Sequence, residues 1–202
     1  WGPYQQAELV HTMMKEQGMN FTSAGKAIGA GRQKAAQMYR AFLGLKQMEA
    51  DDEYKEEASP NLFSHFQQAW VKTELRNWLG WDESASKFNN LNRLKLFYQW
   101  ITTGNDHDEQ DKITARQVRD KLPTIIKIES ARDKFIQGDL TLEGAFGLAS
   151  SEQGGFIDWQ DAVNSAVQKI EKIPWAYTLQ DSDIELLDKL VDLIEKLKEN
   201  NR

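Results

Sequence analysis

The 202-residue chain contains no cysteine, which excludes disulfide scaffolds, thiolate metal sites and cysteine nucleophiles. No window approaches eighteen consecutive apolar residues, so no segment is expected to span a membrane. No signal peptide opens the chain, and it begins Trp1-Gly2-Pro3 without a Met, as a trimmed fragment would. No convincing alternating strand and no repeat of fixed period can be found. What is present is aromatic. Seven Trp, nine Phe and five Tyr supply enough apolar area to offset chain entropy, so whole-chain disorder is excluded. A chain of this length buries roughly 70% of its unfolded surface. One helical domain or two small ones, in a soluble intracellular protein, are expected.

Charge is unevenly spread. Residues 1–50 carry six bases (Lys15, Lys26, Arg32, Lys34, Arg40, Lys46) against three acids (Glu8, Glu16, Glu49), a net of +3. The total is −6, which leaves −9 for the remainder. A basic head on an acidic body is compatible with nucleic acid, because only a local positive face need meet a phosphate backbone.

Apolar periodicity is helical almost throughout. Pro3 opens a run over 4–17 that Gly18 closes. A short helix is expected from about Thr22, and another from about 32 to 42 with Gly44 at its end. Residues 46–58 are acidic and read as a solvated helix or linker. Ser59-Pro60 is a start signal, followed by the stripe Leu62, Phe63, Phe66, Ala69 and Trp70. Thr73 can cap a further short helix, and a longer one is expected over 84–101. Residues 104–111 read as a polar loop. Thr114 caps 115–122, Pro123 interrupts, and 125–136, 141–149, 158–173 and 182–199 are the remaining helices. The predicted class is all-α: a helix-turn-helix head over 1–45 followed by a multi-helix orthogonal bundle over 59–202.

Residues 21–40, FTSAGKAIGAGRQKAAQMYR, carry the most information. A helix-turn-helix needs small residues where its helices cross, glycine in the turn and a few apolar positions to lock the pair. Ala24 and Gly25 are the small residues, Ile28 is the lock, Gly29-Ala30-Gly31 makes the turn, and Ala35 and Met38 face inward. Arg32, Gln33, Lys34 and Gln37 then face outward near the start of the second helix. Arg and Lys read guanine and Gln reads adenine, at about 1–3 kcal/mol per good bidentate contact. Thr22 and Ser23 are placed to bond phosphate through hydroxyl and backbone N–H, with Lys26 and Arg40 as further phosphate holders.

This segment, with Tyr4-Gln5-Gln6-Ala7-Glu8-Leu9-Val10 before it, resembles the DNA-binding part of ParB-like partition proteins. Phe63-Ser64-His65-Phe66, residues 75–81 and residues 113–119 resemble, more loosely, the helical continuation in proteins with a ParB/sulfiredoxin-like N-terminal domain. The resemblance implies a cytoplasmic, nucleoid-associated prokaryotic protein concerned with plasmid or chromosome partition. It also implies that a nucleotide-binding or nuclease-like domain precedes Trp1 in the whole protein and holds any catalytic activity.

Other constellations are weaker. Asp51-Asp52-Glu53 with Glu56-Glu57 reads as a solvated charge run, not a Mg²⁺ nuclease site. Residues 106–117 lack the central Gly and final Glu of a calcium loop. His11, His65 and His107 pair with no nucleophile at a recognisable spacing, and His65 reads as a half-buried helix residue. Trp70, Trp78, Trp81, Phe88, Phe97, Tyr98 and Trp100 read as core, since a stacking platform would need clustered cations. No enzyme, cofactor or metal is expected. The expected partner is double-stranded DNA, read in a sequence-dependent way. A homodimer through the heptad seam Ile184, Leu187, Val191 and Ile194 of the helix 182–199 is a further possibility. The competing reading is a helical interaction scaffold with no DNA affinity, whose acidic body takes a basic partner or a second copy.

Overall fold

The computed structural model describes residues 1–104, 112–152, 159–174 and 176–199. Its helices are α1 (Pro3–Lys15), α2 (Phe21–Ala27), α3 (Arg32–Glu49), α4 (Phe63–Val71), α5 (Thr73–Trp78) and α6 (Leu91–Thr102). They continue as α7 (Ala115–Asp120), α8 (Leu122–Lys127), α9 (Glu129–Ile136), α10 (Leu142–Glu152), α11 (Trp159–Glu171) and α12 (Asp181–Glu199). The fold is all-α and multi-helical. Among the described residues no helix is long and apolar enough to cross a membrane. Most of the expected polar loop 104–111 lies outside the described residues.

Local signals explain many of the boundaries. Thr114 forms a reciprocal cap on α7: its hydroxyl accepts the Gln117 N–H at 3.3 Å, and its own N–H donates to Gln117 Oε1 at 2.9 Å. Pro123 sits in the first turn of α8, where its missing N–H costs nothing, so it restarts a helix there. Ile128, in extended conformation, divides the expected helix 125–136 into α8 and α9.

Four expectations are corrected. The helix expected over 84–101 begins only at Leu91. Before it lies an antiparallel hairpin, β1 (Trp81–Asp82) paired with β2 (Lys87–Phe88) in the register Trp81 to Phe88 and Asp82 to Lys87. The Asp82 carboxylate accepts the N–H groups of Ser84 and Ala85 at 2.8 and 3.0 Å, offering the backbone a turn in place of a helix. Gly44 does not end α3 but lies inside it, because a Cβ there would meet the Phe66 ring at 2.9 Å and the Phe88 ring at 3.0 Å. Nor is residue 45 a boundary. The chain divides into units of residues 1–156 and 157–202, and α3 runs through position 45 to pack along α4. The expected linker 46–58 is tied in as well: Met48 is buried, Tyr54 meets Tyr98 edge-on at 5.4 Å, and Glu53 pairs with Lys95 at 2.6 Å.

The core of residues 1–156 is aromatic. Ala41, Phe42, Leu45 and Met48 of α3 are buried together with Phe63, Phe66 and Ala69 of α4. Phe66 meets Phe97 edge-on at 5.6 Å, Trp78 stacks on Trp100 at 5.7 Å, and Trp100 meets Phe135 at 4.8 Å. Each such ring stabilises the fold by about 1.5–3 kcal/mol through burial, before any gain from ring geometry. The tryptophan-rich middle is core, not a stacking surface.

Candidate nucleic-acid interface

The turn between α2 and α3 is built from its glycines. Gly29, at φ +68°, takes the left-handed conformation that ends α2. The Ala30 N–H then reaches back to the Gly25 carbonyl at 2.7 Å, and the Gly29 N–H to that of Lys26 at 3.1 Å, closing a Schellman motif. Gly25 is required for a second reason. A Cβ on it would stand 3.0 Å from the Ala30 carbonyl oxygen and from backbone atoms of Gly31, so the chain can cross here only over a bare backbone. Val10, Ala24 and Ala35 form a small buried cluster, with Ile28 against it, that locks α1, α2 and α3 together.

Asn20 caps α2, its side-chain oxygen accepting the N–H groups of Thr22 and Ser23 at 3.0 Å each. This corrects one expectation. Those two amides are engaged within the chain, and only the hydroxyls of the exposed Thr22 and Ser23 remain for a phosphate. Gly31 precedes α3 and offers no side-chain cap, so the positive end of the helix dipole is left open. Arg32, Gln33 and Lys34 occupy that first turn and are all exposed. Gln37, half-buried, follows Gln33 one turn later on the same face. Lys26, exposed in the last turn of α2, completes the group. No acid occurs from Gln17 to Met48, so nothing in the segment itself neutralises these cations.

Arg40 does not join them. Its guanidinium lies between the Phe21 and Trp70 rings, 5.1 and 4.9 Å from their centroids, and its Nε donates to both oxygens of Glu83 at 3.1 and 3.0 Å. With 17% of its side chain exposed, Arg40 is a strut between α3 and the hairpin loop, not a phosphate holder. Arg40 in turn holds the Glu83 carboxyl below the usual carboxylate range, and the Trp81 indole N–H adds a hydrogen bond at 2.8 Å. Gln47 fastens the other end of the hairpin, accepting the Phe88 N–H at 2.9 Å and donating to its carbonyl at 2.7 Å.

Sequence reasoning missed Asn20 and Glu83. Asn is among the strongest N-cap residues, and its place one residue before the helix was the available signal for Asn20. Glu83 stands 43 residues from Arg40 and has no local signal. Elsewhere, His65 is half-buried in α4, and burial lowers its pKa from the ordinary 6.5. Among the described residues no group of three His, Asp or Glu is arranged to hold a metal ion, and the acidic run pairs partly with lysines, Asp52 to Lys55 at 3.6 Å and Glu53 to Lys95. No family model, curated protein or solved structure matches this chain.

Proposed function

We propose that the chain binds double-stranded DNA in a sequence-dependent way, with the first turn of α3 as the reading element. The observation that carries this reading is the open, uncapped start of α3 bearing exposed Arg32, Gln33 and Lys34, without an acid in that turn. Arg32, Gln33, Lys34 and Gln37 reach base edges in the major groove, while Lys26 and the hydroxyls of Thr22 and Ser23 hold the phosphates on either side. The resemblance of residues 4–45 to the DNA-binding segment of ParB-like partition proteins supports the same reading. The acidic remainder does not oppose it, since surface charges more than about 10 Å apart are largely screened at ordinary salt.

The test is fluorescence anisotropy of the 202-residue chain with a random duplex pool at low and physiological salt, beside the double variant Arg32→Ala/Lys34→Ala. The expected outcome is binding that weakens steeply with salt and is lost in the variant, at about 1–3 kcal/mol for each contact removed. Absence of binding at low salt, or equal binding by the variant, overturns the reading.

A further inference from the structure

Residues 157–202 form a unit of their own, and both of its helices leave apolar faces in solvent. On α11, Val163, Val167 and Ile170 are more than two-fifths exposed, and on α12 Ile184 and Val191 reach 45% and 51%. Single apolar residues on a surface need no account, but these recur at the spacing of one helix face. Between the two helices runs a groove of about 670 Å³ whose apolar lining includes Ile170, Ile173, Leu187 and Leu190, with Lys169 and Lys172 of the α11 side also on its wall. Covering such side chains removes apolar surface from water, so a seam of several is an attachment surface.

The charges beside the seam say what covers it. Asp181, Glu185, Asp188, Asp192, Glu195 and Glu199 follow one another in alternating steps of four and three residues. With Ile184 and Val191 at heptad position a and Leu187 and Ile194 at d, Asp181, Asp188 and Glu195 fall at e, and the other three fall at b. A continuous acidic stripe therefore borders the apolar seam along one side of α12. Lys189 and Lys196 fall at f, on the far side of the helix, and the g border carries Asp183, Leu190 and Leu197.

This pattern makes α12 a poor partner for itself. In a parallel pair the e carboxylates would face Asp183 and Leu190 of the second copy, and in an antiparallel pair they would face one another. Neither arrangement supplies a cation. The unit as a whole carries ten acids against six bases, a net of −4, which adds repulsion between copies.

We propose that this face of α12 docks a basic amphipathic helix of another protein. The partner's apolar stripe lies over Ile184, Leu187, Val191 and Ile194, and its flanking Lys or Arg residues meet Asp181, Asp188 and Glu195. The test uses the full chain and three labelled three-heptad peptides: one with Leu at a and d and Lys at e and g, one with Glu in place of Lys, and one with the first composition shuffled. The Lys peptide is expected to bind at least about tenfold more tightly than either control, and less tightly as salt rises. Val191→Asp is expected to abolish binding without changing the helical circular dichroism of the free chain. The triple variant Asp181→Lys/Asp188→Lys/Glu195→Lys is expected to exchange the preference and bind the Glu peptide, a gain that misfolding cannot imitate. Equal binding by the shuffled peptide, no binding at micromolar concentration, or sedimentation of the chain as a dimer that Val191→Asp dissolves would each overturn the proposal.

Discussion

The two halves of α3 have opposite surroundings. From Arg32 to Gln37 the helix is mostly in solvent, and its first turn carries Arg32, Gln33 and Lys34. From Met38 to Met48 it lies against Tyr4, Phe63, Phe66 and Phe88, with Phe42 2% exposed and Leu45 and Met48 fully buried. One rigid element is thus the proposed reader at one end and core at the other. The exposed end cannot change its pitch without disturbing the aromatic cluster, because interiors pack as densely as organic crystals. Affinity and stability are nevertheless separable along its length, and substitutions at each end should show it.

The largest effect is expected from Phe42→Ala. Loss of a buried ring that touches Tyr4 at 5.6 Å and His11 at 5.0 Å between centroids should cost about 3–5 kcal/mol, a large share of a domain's 5–15. Urea denaturation reads this directly. Arg32→Ala/Lys34→Ala, which abolishes DNA binding in the proposed function, should stay within about 0.5 kcal/mol of the parent in the same titration. If both variants lost stability equally, the contrast between the halves would be false.

Gly25→Ala sharpens the comparison at the joint. In an ordinary helix interior the change stabilises by about 0.5–1 kcal/mol. Here the added Cβ would meet backbone atoms at 3.0 Å that cannot swing aside, so a net loss of about 1–3 kcal/mol is expected. A gain in thermal stability would show that the α2–α3 crossing is looser than its geometry requires.

Acidification tests the buried side. Burial lowers the pKa of His65, and more weakly buried His11 is shifted the same way for the same reason. Between the lowered folded value and the ordinary 6.5 the unfolded chain binds the proton and the folded chain does not. Stability is therefore full above that ordinary value and falls as pH drops below it. Melting temperatures at about pH 7.5 and 5.5 should diverge, and His65→Gln should flatten the slope. An unchanged slope would place the acid sensitivity elsewhere.

The smallest effect is expected at the strut. Glu83 has 62% of its side chain exposed, so Glu83→Gln should cost only about 0.2–1 kcal/mol. Its carboxyl is held low by Arg40, so the pair stabilises above the ordinary carboxylate pKa of 4.5 and that contribution is lost as pH falls through the lower folded value. A loss of several kcal/mol in Glu83→Gln would mean that the hairpin governs the whole of α3.

Much of the fold was legible because its signals are local. The Thr114 and Gln117 cap, the Gly29 turn and the apolar stripes of α4 and α12 each reveal themselves within a few residues, as hydrogen bonds and periodicity of helices do. The hairpin was not legible, since two-residue strands are too short to show alternation and Trp81 and Phe88 read equally well as helix residues. Gly44 was misread for a related reason. Glycine is both a helix terminator and a site of close approach, and only the Phe66 and Phe88 rings decide which.

The candidate interface divides the same way. Sequence alone determined that α2 and α3 form a glycine-jointed pair with Arg32, Gln33 and Lys34 at an exposed helix start, because propensity, turn chemistry and burial pattern agree over some twenty neighbouring residues. Tertiary structure alone decided that Arg40 faces Glu83 and that the head is continuous with the core. Arg40 shows the reason most clearly. Its helix position suits a phosphate as well as an ion pair, and the choice fell to a carboxylate and two rings that packing alone brings within about 5 Å.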